Sequence, residues 1–136
     1  MIRRYHLDAN VVLRFLRNDD SKQSPASSRL FAEAKSGALH LELSAVTIAE
    51  IFYVLSRVYK QTKPETAANL LPLIQSEVLV VETRSRIVDS LQRVLTANVD
   101  FGDAYLAATA AEKGEAVASF DNDLQAFSDI TTLIPH

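Results

Sequence analysis

The sequence predicts one α/β domain spanning residues 1–136, a central parallel sheet of about five short strands with helices on both faces. Three observations lead there. Short β-rich runs alternate with amphipathic stretches along the whole chain, as in successive strand–helix units. The run EVLVVE (77–82) is dense in β-branched residues, as befits a buried strand. The 136 residues, 48% apolar and 23% charged, are enough to bury one sizeable core.

In chain order, Ile2 to Leu7 reads as the first strand, with Asp8 and Asn10 ending it. NVVLRFLRND follows as a helix, with Val11, Val12, Phe15 and Leu16 at helical spacing and Arg14 and Arg17 facing away. A second helix covers Gln23 to Ser36 and stops at Gly37. ALHLELS alternates as a strand. Ser44 to Lys60 is the strongest helix pattern, with Ile48, Ile51, Phe52, Leu55 and Val58–Tyr59 on one stripe. Pro64 suits the first turn of PETAANLLPLIQ, in which Pro72 argues for a kink or an early end. EVLVVE is the third strand. RIVDSLQRVLTAN and GDAYLAATAAEKG are helices closed by Asn98 and Gly114. AVAS and TTLIP are the last two strands.

Composition excludes several chemistries. There is no cysteine, so disulfides and thiolate metal sites are out, and three histidines, none at zinc-like spacing, leave no imidazole cluster. No G-x-S-x-G elbow or phosphate-cradling glycine loop occurs. The first residues lack the apolar stretch of a secretory signal, and no run has the length of a membrane span, so the expected location is the cytoplasm. Residues 1–63 carry ten Lys/Arg against six Asp/Glu, and residues 64–136 carry four against eleven. A uniformly basic nucleic-acid footprint is therefore absent, although a local one remains open around Arg14, Arg17, Lys22, Arg57, Lys60 and Lys63.

Four acids fall at strand–helix junctions: Asp8 after the first strand, Glu50 early in the third helix, Asp103 opening the Ala-rich helix, and Asp121 after AVAS. Parallel sheets bind ligands beyond the carboxyl ends of their strands. Each acid also has a local explanation. Asp8 could cap the first helix, Glu50 could complete a capping box with Thr47, Asp103 could be an N-cap, and Asp121 with Asp123 could form a solvated turn. Carboxylates gathered at one edge must protonate or hold a cation, and an oxygen-only set suits Mg²⁺ or Mn²⁺. Such a centre is the chemistry of phosphodiester hydrolysis.

At these residues the sequence resembles the PIN-domain family, and within it the VapC-type ribonuclease toxins of type II toxin–antitoxin systems. The opening LDANVVLRFL resembles the family's strand–Asp–x–Asn start at Asp8 and Asn10. SAVTIAEIFYVL resembles its helix with an internal acid at Glu50, and FGDAYLAATA its Asp-Ala-x-x-Ala-Ala stretch at Asp103. SFDNDLQAF resembles its closing Ser/Thr–x–Asp–x–Asp signature at Ser119, Asp121 and Asp123. Phe120 departs from that pattern and is expected to pack or stack. Asp100 adds an acid three residues before Asp103.

The resemblance implies a metal-dependent endoribonuclease that leaves 5′-phosphate and 3′-hydroxyl ends. It also implies a structured RNA target such as tRNA or rRNA, a cognate antitoxin and a homodimer. Asp8, Asp103 and Asp121 are the expected ligands of Mg²⁺ or Mn²⁺. Glu50 would serve a second ion or the attacking water, with Asp123, Ser119, Asn10 and Asp100 supporting. His6 is a lone imidazole for which packing or exposure is the simpler reading. The rival readings are a housekeeping PIN nuclease, an inactive PIN binding module, and a receiver-type Mg²⁺-binding signalling domain. The last would want a lysine near the C-terminus, whereas the final one here is Lys113.

Overall fold

The structure, a computed structural model, describes residues 2–136. Strands β1 (Arg3–His6), β2 (Leu39–Leu43) and β3 (Leu79–Val81) form one parallel sheet in the order β1-β2-β3. Tyr5 stands opposite Leu41, and Leu41 opposite Leu79. Strands β4 (Val117–Ala118) and β5 (Thr132–Leu133) pair in parallel as a separate two-stranded sheet. Among the described residues there are thus five strands, but they form sheets of three and two rather than one of five. The last two are only two residues each, and β1 is an edge of the three-stranded sheet.

Leu39, Leu41 and Leu43 of β2 and Leu79 and Val81 of β3 are buried, and they fill the core side of the main sheet. The register places Arg4 beside His40, and His6 beside Glu42 with Val80 next to it, on the opposite side. There Glu42 accepts from Arg4 at 3.0 Å and lies 3.2 Å from His6 Nε2. Arg4, His6 and Val80 are exposed. Glu42 and His40 on this side are only partly buried.

Helix α1 (Ala9–Arg17) closes at Asn18 in the left-handed region, whose N–H reaches Arg14 O at 3.1 Å. Helix α2 (Gln23–Lys35) packs on α1, partly through the stacked rings of Phe15 and Phe31, 4.1 Å apart. Helix α3 (Ala45–Tyr53) begins at Ser44, whose side chain accepts from the Thr47 N–H. It does not run on to Lys60 as an α-helix. A π-helical turn follows over Val54–Val58, and Lys60 then takes a positive φ. The wider turn leaves Val58 63% exposed, off the apolar stripe expected for it.

Helix α4 (Lys63–Gln75) is capped by Thr62, which accepts from the Glu65 N–H at 3.1 Å. Pro72 neither ends it nor brings it to a stop before Gln75. The proline lies near the C-terminus of the helix, and the Ala68 carbonyl it cannot serve belongs to an exposed residue, open to water. Helix α5 (Arg84–Ala97) packs between α4 and α6 (Phe101–Lys113). Leu70, Ile74, Ile87, Leu91, Val94, Ala104 and Ala107 are buried across these helices. Removing one such leucine to alanine costs about 2–5 kcal/mol. Gly114 closes α6 at φ 64, a conformation that strains a residue with a Cβ. No helix among the described residues is long and apolar enough to cross a membrane.

Candidate metal centre

The site begins at the N-terminus of α6. Asp100 occupies the N-cap position with extended backbone, yet its side chain makes no capping hydrogen bond. Asp103 lies within the first turn rather than at the cap, so capping does not account for it. Phe101 and Ala104 on either side are buried and hold this turn against the core, leaving Asp103 half-buried. A helix N-terminus favours the ionised form of an acid. Nevertheless the Asp103 carboxyl is pushed above its ordinary pKa, first by burial and then by the negative charges of Asp121, Asp100 and Asp123, against the opposing pull of Lys63. Lys63 Nζ lies 3.6 Å from Asp100 Oδ1.

The other half of the site is the turn after β4. Ser119 Oγ accepts from the Asp121 N–H at 2.9 Å, which fixes the chain as it leaves the strand. Asp121 then heads a short 3₁₀ helix, Asn122–Ala126, and its Oδ1 accepts from the Asp123 N–H at 2.9 Å. Leu124 and Phe127 are buried beneath this turn, while Asp121, Asn122 and Asp123 are exposed. Phe120 is 77% exposed, so it does not pack.

Asp103, Asp121 and Asp123 each offer a carboxylate oxygen, and the three atoms lie within 4.8 Å of one another. Like charges about 4 Å apart repel by about 4 kcal/mol at an effective dielectric of 20. One carboxyl sits above its ordinary pKa, all three groups are hard oxygen donors, and the nearby cation Lys63 is drawn to Asp100. This donor set fits a divalent hard cation of the Mg²⁺ or Mn²⁺ kind.

Asp8 is exposed at the N-cap position of α1, but its side chain makes no capping bond, and it does not belong to the three-carboxylate group. Asp123, expected in a supporting place, stands in that group because the 3₁₀ turn folds it back. Glu50 lies exposed beyond the first turn of α3. With Ser44 as the cap, the capping box once open to Glu50 does not form. Asn10 is exposed and lines a shallow hollow with Arg14 and Gln23. Arg14 Nε donates to Gln23 Oε1 at 2.8 Å, and Arg17 lies 4.2 Å from the Tyr59 ring, so both are engaged within the fold.

Two residues near the site, Arg93 and Lys63, gave little sign of their placement in the sequence. Arg93, on α5, donates to both oxygens of Asp129 at 2.9 and 2.5 Å and to Asp89 at 3.3 Å, with Phe127 5.1 Å beneath its guanidinium. It ties down the segment that carries Asp121 and Asp123. Its only sequence signal was the i, i+4 spacing from Asp89, since Asp129 is 36 residues away. Lys63, noted as part of a loose basic group, is brought to the acidic corner by the start of α4.

A family model described as PIN domain matches residues 5–130 of the chain. It spans every candidate acid from Asp8 to Asp123. Among curated proteins, none matches.

Proposed function

We propose that this chain, which belongs to the PIN-domain family, is a metal-dependent endoribonuclease and the toxin of a toxin–antitoxin pair. The family is one of metal-dependent nucleases. The observation that carries the reading is the convergence of Asp103, Asp121 and Asp123 from two distant segments into one uncompensated acidic group. Structural turns do not require that convergence.

In this reading Asp103, Asp121 and Asp123 would hold Mg²⁺ or Mn²⁺, and Asp8, outside that group, would serve as a further ligand oriented by Asn10. When bound, the ion supplies Lewis acidity toward the phosphodiester and its attacking water. Glu50, uncommitted to any cap, takes the water's proton. The water oxygen attacks phosphorus, the P–O3′ bond breaks, the departing 3′-oxygen takes a proton from solvent water, and the products carry 5′-phosphate and 3′-hydroxyl ends. Ser119 holds Asp121 in place through its backbone, and Asp100 tunes Asp103 and engages Lys63. A homodimer in the cytoplasm, silenced by a cognate antitoxin, completes the proposal.

Purified protein incubated with total tRNA and rRNA tests the activity. Cleavage that needs Mg²⁺ or Mn²⁺ and stops with chelator supports it, and cleavage indifferent to chelator refutes the mechanism. Inducing the gene alone tests the cellular role. Growth arrest relieved by Asp121→Asn supports a toxin, whereas unaffected growth assigns the same nuclease to housekeeping.

A further inference from the structure

Beside the acidic corner lies a second feature that the metal centre does not use. A cavity of about 190 Å³ opens between α3 and the N-terminus of α6, bounded by Tyr53, Ser56 and Arg57 on one side and Asp100, Phe101 and Gly102 on the other. Its two walls are joined by the Phe52 and Phe101 rings, whose centroids are 5.9 Å apart. Gly102 adds no side chain, so the wall nearest Asp103 stays open.

Tyr53 is 60% exposed, a large aromatic ring presented to solvent. Arg57 is exposed with its guanidinium 5.9 Å from that ring, and among the described residues it has no ion-pair partner. Glu50 and Tyr53 stand at i and i+3 on α3, and Tyr53 and Arg57 line the same cavity wall. Arg57 sits within the π-helical turn Val54–Val58, a rare geometry that recurs at functional sites. The one carboxylate in the wall, Asp100, is held by Lys63.

Resting on the nuclease reading, we infer that this cavity receives one nucleotide of single-stranded RNA next to the scissile phosphate, the base stacked on Tyr53 and its phosphate on Arg57. The volume suits one ring system, since a cavity of about 150 Å³ accepts benzene. Charge complementarity names the occupant. An unpaired guanidinium beside an exposed aromatic ring is the pairing that single-stranded nucleic acid takes, through phosphate and base respectively. A chain otherwise rich in acid near its catalytic corner needs such a foothold, because bulk electrostatics does not draw RNA to it.

Binding of a fluorescein-labelled single-stranded RNA octamer, followed by anisotropy in calcium chloride, tests this. Tyr53→Ala should weaken binding about tenfold and Tyr53→Phe should stay within about twofold of wild type, because stacking needs the ring and not the hydroxyl. Arg57→Ala should weaken binding and make the salt dependence shallower by about 0.7 in log–log slope, one phosphate contact of a single strand. Tyr5→Ala is the matched control, since Arg3 lies 5.9 Å from its ring on β1, outside this cavity. All four variants are at exposed positions, where folding is little affected.

Wild-type affinity in Tyr53→Ala and Arg57→Ala, an equal loss in Tyr5→Ala, or no binding by the wild type each overturns the inference. Unaltered RNA affinity would leave the face to a protein partner. Cleavage in Mn²⁺ separates the two readings. Tyr53-dependent binding without any cleavage overturns the nuclease and keeps the subsite. Cleavage with an unchanged KM in Tyr53→Ala does the reverse.

Discussion

Around Arg93 opposite charges meet, with Asp129 and Asp89 both bonded to one guanidinium. Around Asp103 like charges meet, with Asp121, Asp123 and Asp100 close by and Lys63 alone opposing them. The two groups share the same third of the chain, and the same C-terminal segment supplies a member to each. Their pKa values move in opposite senses. Asp129 is held below its ordinary value by the hydrogen bond from Arg93, while Asp103 is pushed above its own by burial and neighbouring carboxylates. A paired cluster stabilises the fold and is complete as it stands. An unpaired cluster works against the fold and is explained by what it holds.

Neutralising a member of each cluster gives the largest expected effects. Asp103→Asn or Asp121→Asn should lower metal-dependent RNA cleavage by at least about a hundredfold while leaving thermal stability equal to or above that of the metal-free wild type. Gel assays and calorimetry check both halves. Saturating Mn²⁺ should raise the wild-type stability by about 2.7 kcal/mol at a hundred times its Kd, a shift of roughly 10 °C, and Asp121→Asn should lose that shift.

Arg93→Met is the counterpart. Its loss should cost about 2 kcal/mol, a fall in Tm of roughly 8 °C, because a nearly buried cation and its bonds to the C-terminal segment are removed. The folded fraction should still bind Mn²⁺. Circular dichroism melts and metal titration separate the two effects.

Acid should divide the clusters by sign. For Asp103, raised on folding, the native state binds more protons between the unfolded and the raised pKa. Its contribution therefore improves as pH falls through that window and is lost as pH rises through it. For Asp129, lowered on folding, the contribution is present above its unfolded pKa and is lost as pH falls through the folded value. Metal-free melts across the acid range should thus show Asp103→Asn removing a gain on acidification and Asp129→Asn removing a loss. The smallest effect is expected of Ser119→Ala, about 0.5–1 kcal/mol from one hydrogen bond to the Asp121 N–H, measured by chemical denaturation.

Much of the fold was legible because its signals are local. Alternating apolar runs marked β2, the stripe Ile48–Ile51–Phe52–Leu55 marked α3, and Gly114 and Asn98 marked helix ends. Sheet assembly was less so. Whether Val117–Ala118 pairs with β1 or with Thr132–Leu133 is decided by contacts distant in sequence, and strands of two residues carry little register information. The acids at Asp8, Glu50, Asp103 and Asp121 were visible as junction residues. That Asp123 stands with Asp103 and Asp121 was not, since it depends on a 3₁₀ turn made by Asp121 capping the Asp123 N–H. The partnership of Arg93 with Asp129 was hidden for the same reason as the strand pairing.

The most direct test is a calorimetric titration of Mn²⁺ into the metal-free protein, its Asp103→Asn and Asp121→Asn variants, and Arg93→Met. The two aspartate variants should bind at least about tenfold more weakly than wild type, and Arg93→Met should bind as wild type does. Wild-type Mn²⁺ affinity in Asp103→Asn and Asp121→Asn would contradict the metal centre.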